Sequence, residues 1–326
     1  MIKGYCLRNR VVLPPMASEL ANDDGGVSEK LISHYSARSK CNGLVIVEHS
    51  YISPEGKASP RQLGIWSDSL IAGLSSLANV IKGNGAIVVI QLNHAGGRAD
   101  PRSCKCKPIA PSAVLVPQGY ELPNEMDLND IERVLKAFTK AAERAVKAGF
   151  DGVEIHGAHG FLLNQFLSPI TNRRLDDFGG SLENRMRFPL TVVEEVRKVT
   201  RGKLLLYRLG ADDLMHGGFA INDALKVAVK LVDYGVDVID VSGGLCGSRP
   251  QHLQGIQGYF IPLAEKIRKY VEVPVIGVGG IRDPCIANRF VREGKVDLVA
   301  IGRAQLSDPE WACKAVNEVG KCIDQS

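Results

Sequence analysis

GFDGVEIHGAHG, residues 149–160, contains in twelve residues one step of a repeating plan: a glycine where a helix stops, a short strand-like run, then a polar loop with two histidines. Gly149 closes the amphipathic stretch Asn129 to Ala148, because a helix C-terminus favours a residue that tolerates positive φ. Val153 and Ile155 are β-branched, so the run Gly152 to His156 is expected to extend rather than coil. Seven similar runs lie along the chain: Arg10 to Leu13, Leu44 to His49, Ile87 to Gln91, Leu204 to Leu209, Val238 to Ser242, Pro274 to Val278 and Leu298 to Gly302. As a set they are nearly continuous in apolar residues, as parallel strands covered on both faces should be. Helical patterns separate them: Ser28 to Cys41, Ser67 to Lys82, Asn129 to Ala148, Leu182 to Val199, Asn222 to Tyr234, Tyr259 to Tyr270, Pro284 to Glu293 and Pro309 to Val319. Asn129 and Asp130 are read as opening the third helix, and Asp308 with Pro309 the last.

Eight strand–helix pairs without a Pro- or Ser-rich linker predict an α/β fold closed as a (β/α)8 TIM barrel, one domain over residues 1–326. The segment at about 94–127, rich in Pro and Gly, is too long for a simple loop and is expected to form an excursion over one face. With 45% hydrophobic and 23% charged residues the chain has material for a large core. A net charge of +4, spread along the chain, argues against nucleic acid as a partner. No run approaches 18 apolar residues and the start lacks a leader's apolar core, so no membrane and a cytoplasmic location are expected. Eight cysteines, at 6, 41, 104, 106, 246, 285, 313 and 322, show no framework spacing and are expected to be mostly reduced. Cys104 and Cys106 lack the second pair a zinc site needs, so they are read as part of an exposed loop.

Barrel active sites gather where strands end. Gly277, Gly279 and Gly280 after the seventh strand, with Gly302 and Arg303 after the eighth, suit a phosphate, since bare backbone N–H groups approach an anion closely and Arg303 adds a cation. Arg282 stands where a dinucleotide fingerprint needs its last glycine, so a mononucleotide fits better. The same glycines also serve phosphate-binding barrels without redox chemistry, or simply turn the chain. His156 and His159 can aim two N–H donors at one developing oxyanion. Read as zinc ligands they lack a third partner.

NRVVLPPM (9–16), LGIWSD (63–68), IQLNHAG (90–96) and above all EIHGAHGFLLNQFLSPITNRRLDDFGGSLENRMRF (154–188) resemble the Old Yellow Enzyme family of flavin-dependent ene-reductases, from about Asn9 to about Trp311. The resemblance implies FMN across the barrel mouth, with Pro14, Met16 and Ala17 against the ring and Gln91 at its pyrimidine edge. It implies Arg208 near flavin N1 and O2, and Gly279, Gly280, Gly302 and Arg303 around the phosphate. His49 falls beside the ring, where small residues are usual, and His156 and His159 would bind the oxygen of an activated alkene. The implied reaction has two stages in one pocket: NADH or NADPH reduces FMN and leaves, then the alkene takes hydride from flavin N5. A small-molecule substrate follows, as does a homo-oligomer, dimer or tetramer.

Phe161 stands where many members carry a tyrosine that supplies the last proton, and it has no hydroxyl. His252, Tyr207 and His49 are candidate substitutes; otherwise the chain is an amine or hydroxyl dehydrogenase of the same family, or a non-redox phosphate-binding barrel. Ala17 replaces a Cys or Thr that tunes the flavin, and Glu19 reads as a solvated carboxylate rather than a substrate contact. Gly179, Gly180, Glu183, Asn184 and Arg185 read as structural, and Trp66 as packing. The ending GKCIDQS (320–326) carries the expectation that the iron–sulfur and second nucleotide domains of longer relatives are absent.

Overall fold

Each of the eight apolar runs becomes a parallel strand in a computed structural model that describes residues 1–323: β1 (Val11–Leu13), β2 (Leu44–Tyr51), β3 (Ile87–Asn93), β4 (Gly152–Gly157), β5 (Leu204–Gly210), β6 (Val238–Ser242), β7 (Val275–Val278) and β8 (Leu298–Ala300). They close in chain order, with Val12 of β1 paired to Ala300 of β8 on one side and to Leu44 of β2 on the other. The helices are α1 (Glu29–Arg38), α2 (Ile71–Gly83), α3 (Leu128–Lys147), α4 (Leu182–Val199), α5 (Ile221–Asp233), α6 (Ile261–Arg268), α7 (Pro284–Arg292) and α8 (Trp311–Ile323). None among the described residues is long and apolar enough to cross a membrane.

Alternate residues of each strand face opposite ways, so the barrel has two cores. Val12, Leu44, Ile46, Val89, Leu206, Val238, Ile276 and Leu298 fill the lumen. Their neighbours, such as Val45, Val153, Leu205 and Ile239, meet the helices. Each such side chain, fully buried, stabilises the barrel by about 1.5–3 kcal/mol against its exposed state. The lumen is therefore a solid floor, and any cavity must open above it.

The two helix openings read from capping residues both differ in detail. Asp127, not Asn129, caps α3: its carboxylate accepts from the Asp130 N–H at 2.7 Å while the Asp130 side chain accepts from the Asp127 N–H, a reciprocal pair. At the last helix, Asp308 accepts from the N–H groups of Glu310 and Trp311, so Pro309 lies in the turn before α8. The excursion contains a tight turn at Gly96–Arg98, a helical turn at Pro101–Cys104 and a short parallel pairing of Ile109–Ala110 with Asn124–Glu125. Arg174 ties it down by donating to the carbonyls of Pro111 (2.9 Å) and Met126 (2.6 Å). The conspicuous charged block after β4 thus works as scaffold. Arg185 donates to the carbonyls of Leu167 and Gly180, and a Cβ on Gly179 would strike the Arg174 carbonyl.

The expectation of reduced cysteines fails at three positions. Cys41, just after α1, and Cys313, in α8, form a disulfide, and Cys285 is also disulfide-bonded. Positions 272 apart in sequence meet because β1 closes against β8, which brings the first and last helices together. The same seam carries a hydrogen bond of 2.8 Å between Asn42 Nδ2 and Gln305 Oε1. Cys104 and Cys106 are partly buried rather than exposed, and burial pushes the Cys106 thiol up to about 12, far from a reactive thiolate. No group of three potential metal ligands exists among the described residues. The ending GKCIDQS runs beyond the described residues.

Candidate active site

Above its apolar floor the lumen turns polar. Gln91, Glu154, Arg208 and Asp240 come from four successive strands, with Gln91 paired to Glu154 in register and His156, Arg208 and Asp240 aligned across β4, β5 and β6. Gln91 Nε2 donates to Glu154 Oε1 at 2.7 Å, and Arg208 Nε lies 3.1 Å from Asp240 Oδ2. Burial raises both carboxyls, Glu154 well above its usual range with the Asp240 charge adding to the shift, while Arg208 pulls both the other way. Burial thus favours the protonated form of Glu154, next to the Arg208–Asp240 pair. Glu154 Oε2, both Asp240 oxygens and Arg208 Nε make no hydrogen bond, although they are buried.

On one side of this layer stand three histidines. His156 ends β4, and the Ala158 N–H donates to its Nδ1, which leaves the ring proton on Nε2. His159 has φ of +57°, a conformation costly for a side chain with a Cβ, and its Nε2 lies 2.7 Å from Ser242 Oγ. The two rings meet edge to face, centroids 5.2 Å apart. Burial holds both well below the usual histidine value, with neighbouring His159 adding to the shift at His156 and the Arg208 and Arg98 charges at both. They are neutral N–H donors at any physiological pH.

His49 is the third. Between Val47 and Ser50 the pairing of β2 with β3 slips by one residue, a bulge that turns Glu48 outward to Ser18 and Tyr35 and sends His49 to the barrel mouth. Gln62 accepts the Ala58 N–H at its Oε1, so its Nε2 is the donor 2.9 Å from His49 Nδ1. The His49 proton therefore sits on Nε2. Burial and then the Arg98 and Arg208 charges bring this histidine down to about 4.

Phe161 fills the space among them, its centroid 4.9 Å from that of His156 and 5.3 Å from that of His49. The Arg98 guanidinium lies 4.7 Å above the Phe161 ring and donates to the His159 carbonyl.

At the other end, Gly279 (φ +131°) and Gly280 (φ +67°) adopt backbone conformations that favour glycine. A Cβ on Gly280 would come 3.1 Å from Arg303 Nη2, and one on Gly302 3.0 Å from Met16 Sδ. These loops and the histidines border one cavity of about 640 Å³, within the range that suits a cofactor. Pro14, Met16, Ala17, His49, Gln91, His156, His159, Phe161, Arg208, Gly280, Gly302 and Arg303 all line it, whereas Gly279 shapes the turn behind Gly280.

Of the substitutes for the missing tyrosine, only His49 reaches the cavity. Tyr207 points into the strand–helix core, and His252 sits exposed on a short turn. Glu19 is exposed and outside the lining, and Trp66 is 37% exposed instead of packed away, donating to the Asp24 carbonyl. Arg98, Gln118, Arg249 and Tyr259 line the cavity and were missed. Arg98 and Gln118 arrive on the excursion, whose course no periodicity reveals, although QLNHAGGR (91–98) placed Arg98 close behind a strand end.

Known proteins resemble this chain along nearly its whole length. The family model described as NADH:flavin oxidoreductase / NADH oxidase matches residues 1–321. An NADH oxidase from Thermoanaerobacter brockii is 42% identical over 99% of this chain and 51% of its own length. An NADPH dehydrogenase from Clostridium acetobutylicum is 42% identical over 94% of this chain and 90% of its own. This chain thus spans about half of the first relative and nearly all of the second. Among solved structures, the old yellow enzyme homologue from Zymomonas mobilis superposes with a TM-score of 0.84 at 26% identity, covering 97% of this chain and 91% of that one.

Proposed function

This chain belongs to the NADH:flavin oxidoreductase / NADH oxidase family, and from that membership we propose that it is an FMN enzyme that uses NADH or NADPH to reduce the activated C=C bond of α,β-unsaturated carbonyl compounds. The observation that carries the proposal is the pair of neutral imidazoles, His156 and His159, side by side at the end of a cavity whose other end is a glycine and arginine cradle.

The residues present fit FMN. Gly280 and Gly302 leave the space that a Cβ would fill beside Arg303 and Met16, so their backbone and the Arg303 guanidinium suit a phosphate. Gly279 sets the turn that presents them, while Pro14, Met16 and Ala17 would lie against the ring. Gln91, its N–H committed to Glu154, has its Oε1 left to accept from the imide N–H of the pyrimidine edge. Arg208 brings the cation that stabilises negative charge there, and its partner Asp240 keeps it oriented. When bound, FMN would accept hydride from the nicotinamide and deliver it to the β-carbon of the alkene.

His156 and His159 hold the carbonyl oxygen and stabilise the enolate charge that grows on it. Because both are neutral, they act by hydrogen bonding and do not give up a proton. Arg98 packs on Phe161 and holds the His159 carbonyl, which steadies the strained backbone of that residue. At the histidine end of the cavity the described residues supply no evident acid: Phe161 has no proton to give, and His49 is unprotonated until near pH 4. Water entering at the mouth supplies the final proton.

Anaerobic titration of the FMN-loaded protein tests the proposal. NADH or NADPH bleaches the flavin, and an enone restores its colour; His156→Ala and His159→Ala each lower kcat/KM for the enone by about 10²–10³. A missing hydroxyl at Phe161 favours a second reading, oxidation of an amine or alcohol, and there the substrate itself bleaches the flavin. A protein that retains no FMN leaves the non-redox barrel.

A further inference from the structure

We propose that Arg98 is a carboxylate receptor, so that the substrate carries an ionised carboxyl group besides the carbonyl held by His156 and His159. This rests on the reaction assigned above and adds the class of substrate.

Among the described residues five arginines line the cavity, Arg98, Arg208, Arg249, Arg282 and Arg303, and not one aspartate or glutamate. Arg208 has Asp240 beneath it, and Arg303 stands beside Gly280, where the cofactor phosphate fits. Arg98 has no such occupation. It comes from the turn after β3 at the histidine end, and no carboxylate among the described residues lies within 4 Å of it. The one hydrogen bond of its side chain among the described residues, from Nη1 to the His159 carbonyl, leaves Nε and Nη2 without a partner there.

Position and electrostatics agree. The guanidinium lies over the Phe161 ring, 4.7 Å from its centroid, a contact that restrains it while Nε and Nη2 stay available for a fork-shaped acceptor. Gly160, at φ +71°, adds no side chain beside it, since even a Cβ there would sit 3.4 Å from Arg98 Cδ. The side chains around it include His49, His156 and His159, each pushed toward the neutral form in part by the Arg98 charge. This end of the cavity is therefore a fixed cation among neutral N–H donors. A neutral ligand would desolvate the guanidinium and return at most a hydrogen bond without a countercharge, whereas a carboxylate pairs with it in charge and geometry.

Two ligand pairs test this with the FMN holoenzyme. 4-Oxopentanoate and its methyl ester have no alkene, so calorimetric binding to the oxidised holoenzyme reports recognition apart from turnover. 4-Oxopent-2-enoate and its methyl ester report turnover. The acid of each pair is favoured, in Kd and in kcat/KM, by about tenfold or more. Arg98→Gln brings the acid-to-ester ratio close to one, Arg98→Lys retains part of it, and added NaCl narrows it in the unaltered protein. Equal binding of 4-oxopentanoate and its ester by the unaltered protein overturns the proposal, with no variant needed. So does an unchanged ratio in Arg98→Gln, including the case in which that variant weakens only NADH or NADPH, because the arginine then serves the donor's phosphates. A tenfold preference for the saturated acid with neither enone reduced upholds the carboxylate site and refutes the ene-reductase assignment.

Discussion

On the proposed reaction, Phe161 stands beside the histidines that would bind the substrate and yet has no proton to give. Its ring lies against both His156 and His49, so on that reaction a hydroxyl added to it would enter the cavity in which His156 and His159 would hold the substrate oxygen. Phe161→Tyr is expected to raise turnover of ordinary enones about tenfold or more, measured by steady-state kinetics, since general acids contribute about 10²–10⁴. Absence of any gain would show that water already keeps pace. The histidines give a second expectation. A histidine brought down to about 4, as His49 is, stays neutral in the fold while the unfolded chain takes up its proton near 6.5. Its stabilising contribution is complete above pH 6.5 and is lost as the pH falls towards 4. Because burial holds His49, His156 and His159 all below the usual histidine value, the donor set of the folded site does not change as the pH crosses 6.5. Binding of methyl 4-oxopentanoate, followed by calorimetry, therefore shows no inflection near 6.5 and weakens only as pH 4 approaches.

At the scale of elements, loops and one irregular strand decide the chemistry. The bulge in β2 sets Glu48 against Ser18 and Tyr35, where burial lifts its carboxyl to about 7, and gives His49 to the cavity. Strict alternation after Ile46 would have sent His49 outward. The glycine turn after β7 is as exacting, because Gly280 has positive φ and a Cβ there would meet the Ile256 carbonyl at 3.0 Å. Gly280→Ala costs about 1–2 kcal/mol in backbone conformation alone and crowds Arg303. Flavin fluorescence titration should show FMN bound about tenfold more weakly, with far-ultraviolet dichroism unchanged. A variant that binds FMN as before would mean that the phosphate lies elsewhere.

The whole molecule is a ring closed between its first and last strands, and the Cys41–Cys313 disulfide lies across that closure. Cys313→Ser is expected to lower the free energy of unfolding by about 2–4 kcal/mol, read from denaturant midpoints. Flavin content at low denaturant should not change, because neither cysteine lines the cavity. An unaltered midpoint would show that strand pairing and the Asn42–Gln305 bond close the barrel unaided.

Much of this was determined by the sequence alone. Eight apolar runs at helix-length spacing have few ways to bury both faces, and a closed barrel is one that leaves no edge strand exposed. Strand ends in a barrel share one face, so the histidines after β4 and the glycines after β7 and β8 were bound to meet. Tertiary structure decided what depends on contacts distant along the chain. It set the bulge that redirects His49, the excursion that lays Arg98 on Phe161, the removal of Tyr207 and His252 from the site, and the meeting of Cys41 with Cys313. Local periodicity registers only how a residue sits relative to its own element. Whether a side chain reaches the cavity also depends on strand register and on the packing of segments with no period of their own.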